Sequence, residues 1–164
     1  MNVLILGSGG REHALSHKIV QSTKCEKLFI APGNGGTAAL GDNVSLDIES
    51  AAEVAAFAKA QAIDIVVIGP EAPLVAGVHD GLKSFPELEN LVVVGPRQAA
   101  AELEGSKDFA KEFMMRHQIP TAAYQTFTKD TLADGQAFLE TLESPYVLKA
   151  DGLAAGKGVL IIED

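Results

Sequence analysis

Val3-Leu-Ile-Leu-Gly-Ser-Gly-Gly-Arg-Glu-His-Ala-Leu15 is the stretch that decides the fold. Four consecutive apolar residues, with no polar residue between them, fit a strand buried on both faces, as in a parallel sheet. A glycine-rich loop follows, and a helical pattern over Arg11–Val20 begins at once. Further apolar runs stand at Leu28–Ala31, Ile63–Ile68 and Leu91–Val94, with helical patterns at Ser50–Ala60 and Val75–Ser84. Ser50 and Glu53 have the spacing of a capping box. Strands alternating with helices predict an α/β fold, a parallel sheet covered on both faces.

In such a sheet, ligands bind beyond the carboxyl ends of the strands. All four runs end in loops rich in Gly or Pro: Gly7–His13, Pro32–Thr37, Gly69–Leu74 and Gly95–Arg97. Four such loops on one edge predict a binding cleft. The first departs from the dinucleotide pattern G-x-G-x-x-G, since Glu12 replaces the third glycine. The second strand brings no acidic residue for a ribose, so a nicotinamide or flavin oxidoreductase is disfavoured. Gly9, Gly10 and the amides after them can still hold a phosphate at a helix N-terminus. Arg11 in the first turn opposes the helix dipole, a penalty that a bound anion would remove. Its alternatives are solvent or pairing with a carboxylate. Glu71, between two prolines, either bonds a sugar hydroxyl or amine, or is a solvated loop carboxylate. His13, His17, His79 and His117 have no metal-ligand spacing.

Near residue 100 the pattern changes, and the domain boundary is placed there. Ser106 is suited to cap a helix on which Phe109, Ala110, Phe113, Met114 and His117 share a face. Gln118-Ile119-Pro120 should end it. A strand over Tyr124–Phe127, a helix over Leu132–Leu142 and strands over Tyr146–Ala150 and Val159–Ile162 are expected after it.

The last two strands flank Lys149-Ala-Asp-Gly-Leu-Ala-Ala-Gly-Lys-Gly158. Two lysines joined by a loop of small side chains suit a polyphosphate, which ammonium groups and backbone amides both reach. The loop is not a Walker A motif. Three residues separate Gly152 from Gly156, Gly158 stands where Ser or Thr belongs, and a strand rather than a helix follows. The plainer alternative is a β-hairpin with a Gly-rich turn.

Composition narrows the function. The 164 residues are 47% hydrophobic and carry a net charge of −9, spread over both halves. No basic patch points to nucleic acid or a membrane surface. Cys25 is the single cysteine, so no intrachain disulfide forms. With no signal-peptide or membrane-span pattern, the cytoplasm is the expected compartment.

Taken in order, Gly-Ser-Gly-Gly-Arg-Glu-His-Ala-Leu, Pro-Gly-Asn-Gly-Gly-Thr, Ile-Gly-Pro-Glu-Ala-Pro-Leu, Leu-Glu-Gly-Ser-Lys, Ile-Pro-Thr-Ala and Leu-Lys-Ala-Asp-Gly-Leu-Ala-Ala-Gly-Lys-Gly give the chain a name. It closely resembles the phosphoribosylamine–glycine ligases, or glycinamide ribonucleotide synthetases, of the ATP-grasp superfamily. The resemblance implies a Rossmann-like, substrate-side domain over 1–100 and the start of an ATP-grasp α+β domain over 101–164. Members are more than twice as long, so an N-terminal fragment, inactive by itself, is expected. The implied reaction joins glycine to 5-phosphoribosylamine through glycyl phosphate, using ATP and Mg²⁺, in purine biosynthesis. Lys107 and Lys149 would contact ATP phosphates. Gly152, Gly156 and Gly158 would belong to a flexible lid carrying Lys157. Gly9, Gly10, Arg11 and Glu71 would face phosphoribosylamine. The Mg²⁺ ligands would lie beyond residue 164. Partners are expected to be small molecules, and the chain a monomer. The alternative is a non-catalytic nucleotide- or phosphate-binding module.

Overall fold

The computed structural model describes residues 1–154 and 156–163. The chain divides into two compact units, Met1–Ala101 and Glu102–Asp164. The first is built on five parallel strands: β1 (Asn2–Gly7), β2 (Lys27–Pro32), β3 (Asp42–Asn43), β4 (Ile65–Ile68) and β5 (Val92–Val94). Their order is β3-β2-β1-β4-β5. β1 therefore has a neighbour on each side, and Leu4, Ile5 and Leu6 are fully buried.

Side chains alternate across the sheet. Leu4, Leu6, Phe29, Ala31 and Val66 enter the larger apolar cluster. Helices α2 (Ala51–Ala60), α3 (Glu71–Val75) and α4 (Val78–Lys83) cover it with Val54, Ala58, Leu74, Val78 and Leu82. Val3, Ile5, Leu28 and Ile30 face the other way, under Leu15 and Ile19 of α1 (Gly10–Ile19). Both faces are covered over β1 and β2, as the uninterrupted apolar runs predict, whereas Val92 and Val94 of the edge strand β5 stay 50% and 49% exposed.

Three local expectations are corrected. The helix expected over Val75–Ser84 starts only at Val78, after Val75 has ended α3, and the two are parted where Gly77 adopts φ +83°, a left-handed conformation that glycine takes without cost. Glu71 accordingly opens α3 rather than lying in a loop. Pro73 fits there because first-turn amides have no intrahelical acceptor. The capping box forms by half: the Ser50 side chain accepts from the Glu53 amide, but the Glu53 carboxylate accepts from the Asp47 amide at 3.1 Å.

Helix α5 (Gln98–Gly105) carries the chain from one unit into the next. The second unit holds α6 (Lys107–Arg116), α7 (Leu132–Leu139) and an antiparallel pair, β6 (Tyr146–Lys149) with β7 (Val159–Ile162). Tyr124–Phe127 forms no strand. Its side chains hold it instead. The Lys111 ammonium lies 5.3 Å from the Tyr124 ring centre, the Thr126 hydroxyl donates to Asp108, and Phe127 packs beside Phe138. A β-prone segment becomes a strand only where another strand pairs with it, and among the described residues none pairs with this one. Among the described residues of this unit only Gly135 is fully enclosed, and Leu160 and Ile161 of β7 are 63% and 68% exposed.

Candidate functional site

The strand order reverses between β1 and β4, and there the loops that leave them diverge. A cleft of about 430 Å³ opens at that point, lined by the loop 7–12, by Ile48, and by Pro70 and Glu71. The four residues assigned to it from sequence, Gly9, Gly10, Arg11 and Glu71, all line it. Arg11 and Glu71 are sixty residues apart in the chain, yet the guanidinium meets the carboxylate at 3.1 Å and also donates to the Gly69 carbonyl. Of the alternatives open for Arg11, pairing with a carboxylate is the one the fold adopts. The Glu71 carboxyl is held below its ordinary range, first by its own backbone amide and then by Arg11, with burial acting weakly the other way. The two side chains remain 59% and 44% exposed. Such a pair contributes little, roughly 0–1 kcal/mol, and a ligand can displace it.

Glu12 has a different place. It is 4% exposed, and its carboxylate turns back to accept the Gly9 amide at 2.7 Å. It fills the space that glycines leave open: a β-carbon on Gly69 would fall 2.1 Å from Glu12 Oε1, and one on Gly7 2.6 Å from its Cδ. The Gly9 amide, named from sequence as a phosphate donor, is thus engaged within the chain. The Gly10 and Arg11 amides, in the first turn of α1, have no acceptor within the helix. Asn34 was not foreseen. Its side chain donates to the Ser8 carbonyl at 2.8 Å and accepts from the Gly36 and Thr37 amides, tying the second loop to the first.

The nucleotide candidates lie in the second unit. Lys107 opens α6, and its ammonium donates to the Gly152 carbonyl at 2.7 Å. Gly152 and Gly156 run at φ +84° and +75°, both left-handed. The Ala150 amide closes on the Gly158 carbonyl at 2.8 Å, and the Lys157 amide on that of Ala154 at the same distance. Lys149 and Lys157 are exposed. Lys107 and Gly152 are therefore in contact, and Gly158 faces Ala150 at the loop's base. Asp151, given no role of its own from the sequence, is bound by the Lys107 amide at 2.6 Å. The signal missed was Ser106-Lys-Asp, a helix N-terminus with donors for a carboxylate from far along the chain.

Residues 1–104 match the family described as phosphoribosylglycinamide synthetase, N domain, and residues 105–164 match its ATP-grasp (A) domain. The chain belongs to the phosphoribosylglycinamide synthetase family. Curated relatives agree. It is 52% identical to the phosphoribosylamine–glycine ligase of Vibrio parahaemolyticus, over 98% of this chain and 37% of that one. It is 53% identical to that of Mesorhizobium japonicum, over 98% and 36%. The chain thus spans little more than a third of the length of the relatives it matches. The crystal structure of the Thermotoga maritima phosphoribosylamine–glycine ligase superimposes with a TM-score of 0.71 at 35% identity, covering all of this chain and 36% of that one. The biotin carboxylase domain of the Hydrogenobacter thermophilus 2-oxoglutarate carboxylase, solved with MgADP, shares the fold at a TM-score of 0.72 and 16% identity, covering 99% of this chain and 37% of that one. No helix among the described residues of this synthetase-family chain is long and apolar enough to cross a membrane.

Proposed function

We propose that this chain is the substrate-side domain and the start of the nucleotide domain of a phosphoribosylamine–glycine ligase, an ATP-dependent carbon–nitrogen ligase of purine biosynthesis. Its identity of about half its residues, along nearly its whole length, to ligases of that name carries the proposal. In the reaction a glycine carboxylate oxygen attacks the γ-phosphorus of ATP, the bond to the β-phosphate oxygen breaks, and ADP leaves. The amine of 5-phosphoribosylamine then attacks the carbonyl carbon of glycyl phosphate. Phosphate leaves, the nitrogen loses a proton, and glycinamide ribonucleotide results.

Such chemistry needs alignment and charge neutralisation more than an acid–base pair. Lys107, Lys149 and Lys157 would offset the charge of the phosphates, and the loop through Gly152, Gly156 and Gly158 would close over them. Arg11 would exchange Glu71 for the phosphate of phosphoribosylamine, supported by the Gly10 amide, and Glu71 would then accept from a ribose hydroxyl or the amine. Mg²⁺ would shield the ATP phosphates. Among the described residues no three His, Cys, Asp or Glu side chains stand together to hold it, so no step here is assigned to the metal.

Binding tests the proposal on the chain itself. Ribose 5-phosphate titrated into ¹⁵N-labelled protein should shift Gly9, Gly10, Arg11 and Glu71 first, and MgADP should shift Lys107, Gly152 and Lys157. Largest shifts in other places would overturn these assignments. A non-catalytic phosphate-binding module would bind in the same way but would never turn over in any longer form of the protein.

A further inference from the structure

The described root of the glycine-rich loop is fastened from both sides. The Asp151 carboxylate accepts from the Lys107 amide at 2.6 Å, from the Asp108 amide at 3.3 Å and from the Ser106 hydroxyl at 3.2 Å. In return, the Lys107 ammonium donates to the Gly152 carbonyl at 2.7 Å. One residue, Lys107, thus brackets the Asp151–Gly152 peptide with its backbone and its side chain. The amides of Lys107 and Asp108 are first-turn donors with no acceptor inside α6. Ser106 caps only the Phe109 amide. Asp151 therefore completes the cap of α6 from forty-four residues away. Two residues before it stands Lys149, at the end of β6, and immediately after it Gly152 turns left-handed.

We infer that Asp151 is a positioning residue, a latch that pins the root of the glycine-rich loop to the N-terminus of α6 and so fixes where Lys107 and Lys149 stand relative to that loop. Without it, the loop root is tied to α6 by the single bond from the Lys107 ammonium, and that ammonium must leave the Gly152 carbonyl whenever it turns to a phosphate. The latch leaves the loop tethered during that exchange. Its use to a nucleotide rests on the ligase function proposed above, but its existence does not.

Amide exchange in the 164-residue chain without ligand tests the latch. Asp151→Ala should speed exchange at Lys107 and Asp108 by about tenfold, the loss of a charge-assisted hydrogen bond. The β6–β7 ladder amides should be unchanged. Asp151→Asn keeps the one oxygen that both the Lys107 and Asp108 amides reach and should restore most of their protection. Asp151→Glu moves the carboxylate by one methylene and should speed the same two amides, so it carries the test if the alanine variant does not fold. Unchanged exchange at Lys107 and Asp108 in the folded variants, or an equal rise throughout the unit with no recovery in Asp151→Asn, would overturn the latch. An MgADP titration separates this from the functional proposal. A wild-type chain that ignores MgADP, with exchange behaving as expected, leaves the latch standing and removes the nucleotide site. A chain that binds MgADP equally well with and without Asp151, with exchange unmoved, does the reverse.

Discussion

Replacing Glu12 by alanine should destabilise the first unit by about 2–3 kcal/mol. The carboxylate is 4% exposed and accepts the Gly9 amide at 2.7 Å. Its removal leaves a partly buried amide without an acceptor, which costs roughly 1–3 kcal/mol. It also removes a negative charge from the first turn of α1, for about 0.3–1 kcal/mol more. The glycines at 7 and 69 cannot close the space left behind. Glu12→Gln keeps the shape and one acceptor and loses only the charge, so about 1 kcal/mol is expected. For a unit the size of Met1–Ala101 the alanine change corresponds to a fall in melting temperature of roughly 8–24 °C. Because the chain has two units, the cleaner readout is exchange of the Leu4–Leu6 amides of β1, which report opening of the first unit alone. An alanine variant within about 0.5 kcal/mol of the parent, or a glutamine variant as damaged as alanine, would refute the role given to this carboxylate.

Gly69→Ala should act through the same contact, since its β-carbon would fall 2.1 Å from Glu12 Oε1. It should therefore cost about 1 kcal/mol less in a Glu12→Ala background than alone, measured by a double-mutant cycle in urea. Lowering the pH should weaken the Asp151 latch, since a protonated carboxyl keeps an acceptor but loses its charge. Burial pushes this carboxyl up, but the Gly152, Lys107 and Asp108 amides and the Ser106 hydroxyl together hold it below its ordinary value of 3.8. A depressed carboxyl contributes its stability above the unfolded value and loses it as pH falls through the folded one. The Lys107 amide shift should accordingly titrate with a midpoint below 3.8, and a midpoint at or above that would contradict the geometry. Lys149→Ala should leave the stability of this chain within about 0.5 kcal/mol, because the side chain is exposed. It should weaken MgADP binding about 10–100-fold by calorimetry, the loss of one charge-assisted contact. The isolated 164 residues, little more than a third of the length of their relatives, should release no ADP from ATP, glycine and fresh phosphoribosylamine above background.

What the sequence determined by itself depends mostly on neighbours along the chain. Apolar runs such as Val3–Leu6 and Ile65–Ile68 named four of the five strands of the parallel sheet, because a strand covered on both faces has no polar position to spare; the two-residue, polar β3 carried no such signal. Ser106 announced the start of α6, since a cap bonds an amide only three residues on. The ordered motifs from Gly7 to Gly158 carried the family. The tertiary structure decided the pairings between residues far apart. Arg11 meets Glu71 because β1 and β4 are neighbours in the sheet, an adjacency that no local pattern states. Asp151 caps α6 because β6 ends beside Ser106 in space. Glu12 was legible only as a missing glycine. That its carboxylate occupies the loop and takes the Gly9 amide depends on the gaps at Gly7 and Gly69, two glycines sixty-two positions apart that only the folded sheet brings together. Tyr124–Phe127 failed as a strand for the same reason: propensity is local, but a strand exists only where another offers it an edge.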